Sequence, residues 1–178
     1  AAEPAVKKLV PAAPASGCTA DPATRDLVER IVFTTPQATK EAPDQQVEQR
    51  AFGTSEAVRA RVRLSKPFAE LLAEAGPSAD ALPDSVRLVL LIGGSSVLVI
   101  DIQPPHEDLS RPTMDFDVVA DVDCGNAFCL ESMRRLAGLP EGRHEIGMEV
   151  RLASDRRTEA LAKGSFTLDT TLNHSNFR

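Results

Sequence analysis

The sequence predicts a mainly β, layered domain carrying one or two short helices and an extended N-terminal arm. Three observations lead there. Two apolar runs, Ser85 to Ile92 and Ser95 to Gln103, meet at Gly93-Gly94. Further stretches alternate apolar and polar residues with a period of two. The first twenty residues are too rich in Ala and Pro to build a core.

The double glycine supplies the positive φ angles of a tight two-residue turn, so residues 85–103 read as a β-hairpin. Val86, Leu88, Leu90 and Ile92 fall on one face of its first strand, and Val89 and Leu91 on the other. A strand with two apolar faces needs cover on both, which predicts a central place for the hairpin.

The remaining elements follow in order. Residues 1–20 form an Ala/Pro-rich flexible arm that precedes a single β-rich domain over 21–178. The arm is expected to order along a neighbouring subunit or to remain a linker. Asp21-Pro22 gives an N-cap and a first-turn proline, predicting a short helix to Arg30 that presents Leu27, Val28 and Ile31. An extended segment, Ile31 to Thr35, closes at Pro36, and residues 36–46 read as a polar loop. From Ala57 to Ser65 the period is two: Val58, Ala60, Val62 and Leu64 point one way, Arg59, Arg61 and Arg63 the other. Phe68 to Ala75 reads as a two-turn helix stopped by Gly76-Pro77.

Beyond the hairpin, Thr113 to Asp121 alternates again, with Met114, Phe116, Val118 and Ala120 opposite Asp115 and Asp117. Ala127 to Gly138 is amphipathic, with Asn126 as its N-cap and Gly138 at its end. Ile146, Met148, Val150 and Leu152 mark another strand. A polar turn at Ser154–Arg157 leads to a last strand holding Phe166 and Leu168.

The stretch Leu139-Pro140-Glu141-Gly142-Arg143-His144, followed by alternating Ile146 to Val150, resembles the penultimate strand of immunoglobulin-like β-sandwich domains in bacterial secreted proteins. Gly164-Ser165-Phe166-Thr167-Leu168 resembles their closing strand. The likeness covers the last quarter of the chain. It implies an immunoglobulin-like sandwich and no catalytic residue. The helix near 127–138 departs from a plain sandwich and keeps an α+β mixed sheet as the alternative.

Composition narrows the function. The 178 residues carry a net charge of −6, which argues against a phosphate-backbone partner. Aromatic residues make up 4% and all are Phe, so the stacking platforms of sugar and single-strand nucleic-acid sites are missing. No apolar run reaches the ~20 residues of a membrane-spanning helix. The start at Ala1-Ala2-Glu3-Pro4 is consistent with a mature form whose leader was removed. Ala15-Ser16-Gly17-Cys18 matches a lipid-attachment motif only in part, because prolines break the preceding segment. These features point to an extracytoplasmic place: periplasm, cell surface or secretion.

Cys124 and Cys129 lie five apart at a turn-to-helix junction and are candidates for a disulfide, with two unpaired thiols as the alternative. Asp121, Asp123 and Asn126 form the densest set of hard oxygen donors and are the candidate calcium ligands. The EF-hand pattern fails, since Gly125 comes one position early and Ser132 stands where Glu belongs. The competing reading makes Asp123 and Asn126 helix-start acceptors, and no cofactor is expected. Asp101, on the face of Val97 and Val99, is expected to meet an arginine or water.

His106, His144 and His174 are dispersed, and Gly93-Gly94-Ser95-Ser96 opens no helix, so neither a nucleophile nor a phosphate cradle is marked. The expectation is a non-catalytic structural or assembly subunit. It would contact other protein subunits through the arm, exposed sheet edges and the face of Arg59, Arg61 and Arg63. A calcium- or small-ligand-binding module, or an accessory domain of an enzyme, are the alternatives.

Overall fold

The computed structural model describes residues 30–41, 48–76, 85–153 and 159–171. The arm, Cys18, the helix expected after Asp21, the Ser154–Arg157 turn and His174 lie outside them. Eight strands and four short helices occupy the described residues. In chain order they are β1 (Arg30–Thr34), α1 (Pro36–Glu41), β2 (Ala51–Gly53), β3 (Val58–Arg63), α2 (Phe68–Ala75), β4 (Val86–Ile92) and β5 (Ser95–Ile102). Then follow α3 (His106–Leu109), β6 (Thr113–Val119), α4 (Ala127–Ala137), β7 (Arg143–Leu152) and β8 (Ala162–Asp169).

All eight strands join one mixed, strongly curled sheet in the order β5-β4-β7-β8-β1-β3-β6, with β2 also on β8. Most pairs are antiparallel; β1 and β2 run parallel to β8 and share its edge. β1 meets β8 at Arg30 and Lys163, and β2 takes over where Ala51 faces Thr167. The backbone stitches the handover: Gln49 N–H donates to the Phe33 carbonyl at 2.8 Å, and Thr167 N–H to the Arg50 carbonyl at 2.8 Å.

The hairpin forms as expected, with Gly93 at φ 57° and Gly94 at φ 81°, a left-handed pair that β-carbons disfavour. Its place does not match the expectation. Only β4 is interior, and β5 is an edge strand of the sheet. The reason lies in β7, whose Ile146, Met148, Val150 and Leu152 register against Ile92, Leu90, Leu88 and Val86. That match makes β7 the second neighbour of β4, and no described strand flanks β5 on its far side.

Among the described residues, no second layer covers the outer face of the hairpin either. Val89 is buried between Glu149 of β7 and Val99 of β5, within a rank of charged neighbours, while Val99 itself is 54% exposed.

One further expectation changes, and two short elements come without a sequence signal. Residues 36–41 of the predicted polar loop form α1, where Thr35 Oγ1 accepts from Ala38 N–H at 3.3 Å. β2 and α3 carry no periodic signal because three or four residues are too few to show one. The strands at 58–63, 86–92, 95–102, 113–119, 143–152 and 162–169 and the helices at 68–75 and 127–137 stand where the patterns put them.

The inner face of the curl holds the core. Phe166 centres it, with its ring 4.7 Å from that of Phe33 and 5.3 Å from that of Phe52 in an edge-on approach. Burial of three such rings is among the larger stabilising terms in a domain of this size. Helix α4 buries Phe128, Cys129, Ser132 and Leu136 and packs against both β6 and β5. The curl thus brings the two ends of the sheet to one helix. No described helix is long and apolar enough to cross a membrane.

Candidate functional site

Two regions of the outer surface and one turn contain every site residue that the sequence singles out. The first region is the rim of β5. Its inward residues Leu98, Ile100 and Ile102 stay half-buried, whereas Leu88 and Leu90 beside them on β4 are fully buried. On the opposite edge strand, Met114, Phe116 and Val118 of β6 are buried. β5 therefore presents the more open rim of the sheet. Its one charged residue, Asp101, is held by Arg87 of β4, with Nε to Oδ1 at 2.8 Å and Nη2 to Oδ2 at 3.0 Å. This is the arginine partner expected for Asp101, and it leaves the strand without an uncompensated charge. A bulge at Val97 shifts the register between Leu90 and Leu91.

The second region is the outer face of β3 and β6. Register places Arg59 opposite Asp117 and Arg61 opposite Asp115. Arg59 Nε donates to Asp117 Oδ1 at 2.9 Å. Arg61 binds Asp115 through both Nε and Nη2, at 2.9 and 3.1 Å. Arg63 faces Thr113 instead, and on its other side Arg30, which Glu48 engages. Arg63 makes no ion pair among the described residues, and its Nε is shielded from solvent without an acceptor. Of the three arginines, two are thus neutralised within the sheet, and Arg63 makes no ion pair among the described residues.

A polar notch of about 500 Å³ opens beside Arg63, lined also by Thr39, Asp108, Arg111 and Thr113, with the Arg61–Asp115 pair as one wall. Burial, and then the neighbouring Glu107, raise the Asp108 carboxyl above its ordinary range, against the pull of Arg111. At the β1–β2 handover the balance is reversed. Burial pushes Glu48 upward, but bonds and charge from Arg30 and Arg50 outweigh it and hold the group below the usual carboxylate range. In the sequence the arginine row and the aspartates stand as two separate runs. Both alternate with period two, and that shared period was the available signal for their pairing. Asp108 and Arg111 carried none.

The turn before α4 holds the remaining candidates. Cys124 and Cys129 are joined as a disulfide with Cα atoms 5.4 Å apart, and Met133 Sδ lies 3.4 Å from Cys124 Sγ. Asn126 Oδ1 accepts from Cys129 N–H at 3.0 Å, the N-cap expected of it. Asp121 and Asp123 are exposed. Of the proposed calcium set, one oxygen is therefore engaged by the helix start. Among the described residues no three His, Cys, Asp or Glu side chains gather as a metal-ligand group.

An apolar cleft of about 450 Å³ separates α4 from the strand ends, lined by Met133, Leu136, Leu139, Val119 and Leu168, with Glu56 and Glu141 among its polar residues.

No protein-family model matches the chain, and no curated protein matches it. Among solved structures it is similar to the solution NMR structure of the CARDB domain of a Pyrococcus furiosus protein. The two are 9% identical, the likeness covers 79% of this chain and 93% of that domain, and the TM-score is 0.29. This is a distant structural match to an immunoglobulin-like β-fold over most of the chain.

Proposed function

We propose that the chain is a non-catalytic, extracytoplasmic assembly subunit built on an immunoglobulin-like β-domain, and that its copies associate through the rim of β5. The observation that carries this reading is the state of that strand. It is eight residues long and mostly apolar, it has no described neighbour on one side, and its single charge is already neutralised by Arg87. Edge strands are normally protected by charges, prolines or cover, and an edge without them pairs with another strand.

A second copy suits this edge because an antiparallel strand is complementary to itself about a two-fold axis, the commonest symmetry of soluble assemblies. The arm of residues 1–20 would add contacts along the neighbouring subunit.

Light scattering on the full chain and on Val99→Lys tests the proposal. Val99 is 54% exposed, so lysine there leaves the core untouched while charging the rim. The expected result is a concentration-dependent oligomer for the native sequence and a monomer for the variant. A native chain that stays monomeric, or a variant that assembles equally well, overturns the reading.

A further inference from the structure

The arginine row of β3 ends on a rung with no acid. Asp117 and Asp115 answer Arg59 and Arg61, but the next step along the same face of β6 is Thr113, which brings no charge to Arg63. A shielded guanidinium nitrogen without an acceptor is costly, and an ordered water or an oxyanion from outside the chain can complete it, the charged acceptor more strongly. The neighbouring Arg111 is exposed and makes no ion pair among the described residues, and it lines the same notch.

We propose that the notch formed by Arg63, Arg111 and Thr113 binds a tetrahedral oxyanion of the phosphate type. The charges facing it add up in that direction. Arg61 and Asp115 cancel each other, Arg30 is engaged by Glu48, and among the described residues lining the notch Asp108 is the acid left to oppose Arg63 and Arg111. The Thr39 hydroxyl donates to the Thr35 carbonyl at 3.2 Å, so it supplies wall and not a donor.

Donors come from β3, from the segment between α3 and β6, and from the Thr113 hydroxyl at the start of β6. A planar carboxylate is satisfied by one arginine fork, whereas oxygens pointing in several directions use all three donors. The notch has room for a phosphate together with part of the molecule that carries it.

The test is calorimetric titration of the full chain with sodium phosphate at fixed ionic strength, with sodium acetate as the parallel titrant. Phosphate is expected to bind saturably and acetate far more weakly. Arg63→Gln and Arg111→Gln should each weaken phosphate roughly tenfold or more, as expected for one lost charge-assisted contact. Asp108→Asn, which removes the opposing carboxylate, should strengthen it. Arg134→Gln, on the exposed face of α4, should leave the isotherm unchanged. Heats that do not saturate, or acetate equal to phosphate, overturn the site. So does a set of variants in which Arg63→Gln, Asp108→Asn and Arg134→Gln behave alike.

Discussion

Gly164 lies so close to β1 that a β-carbon on it would sit 2.3 Å from the Ile31 carbonyl oxygen and 3.0 Å from the Ile31 Cβ. The contact exists because β1 runs parallel to β8 for only one register pair before β2 replaces it, and the backbones converge there. The obstacle is main chain, which cannot swing aside as a side chain would. Gly164→Ala should therefore destabilise the fold by about 2–3 kcal/mol, the upper part of the range for overpacking. Urea unfolding followed by circular dichroism measures this, as the chain has neither Trp nor Tyr. Gly147→Ala is the control: its β-carbon would meet Leu91 Cβ at 3.3 Å and Cδ1 at 3.4 Å, a looser approach than that at Gly164, and the loss should be smaller.

The paired arginines make a separable contribution. A double-mutant cycle on Arg61→Ala and Asp115→Ala should return a coupling of about 1 kcal/mol, the upper end for pairs at a protein surface. The Arg61 side chain is only 14% exposed and the contact is two-pronged, which favours that end of the range. Arg63→Ala with Thr113→Ala should show no comparable coupling, since these two share a register position and no charge pair.

Acid and base titration should separate two carboxylates by sign. Burial raises the Asp108 carboxyl in the folded chain, so this group opposes folding above its folded value and ceases to do so below its unfolded one. Asp108→Asn should raise the melting temperature at neutral pH, with the gain vanishing as pH falls through the carboxylate range. Glu48, lowered by Arg30 and Arg50 despite its burial, behaves oppositely. Glu48→Gln should lower the melting temperature at neutral pH, and the difference should disappear in acid once the native carboxylate is protonated. Thermal melts at several pH values check both.

The disulfide should act through the unfolded chain. Closing a loop as short as that between Cys124 and Cys129 stabilises by about 2 kcal/mol in the loop-entropy account. Replacing both by Ala should cost about that much in urea unfolding.

These expectations also show what the sequence makes legible. Elements whose physics is local could be read: the Gly93-Gly94 turn, the alternation of Val58 to Leu64, the Asn126 cap, the Cys124–Cys129 spacing. Strand order could not, because it depends on which apolar face finds which. The pairing of β7 with β4 put β5 at the rim, although both strands of the hairpin look equally suited to an interior place. The arginine site was half visible. Arg63 appears in the sequence as one of three equivalent residues, and only the register against β6 shows that Thr113 leaves it without a partner. Asp108 and Arg111 reach the same notch from a segment with no periodicity at all.

Hydrogen exchange of the β5 amides, followed at low and high protein concentration, examines subunit pairing where it would occur. Assembly through this rim predicts that the outward amides between Ser95 and Ile102 become protected as concentration rises, while those on the free side of β6 exchange at one rate throughout. Equal exchange of β5 at both concentrations would contradict the account.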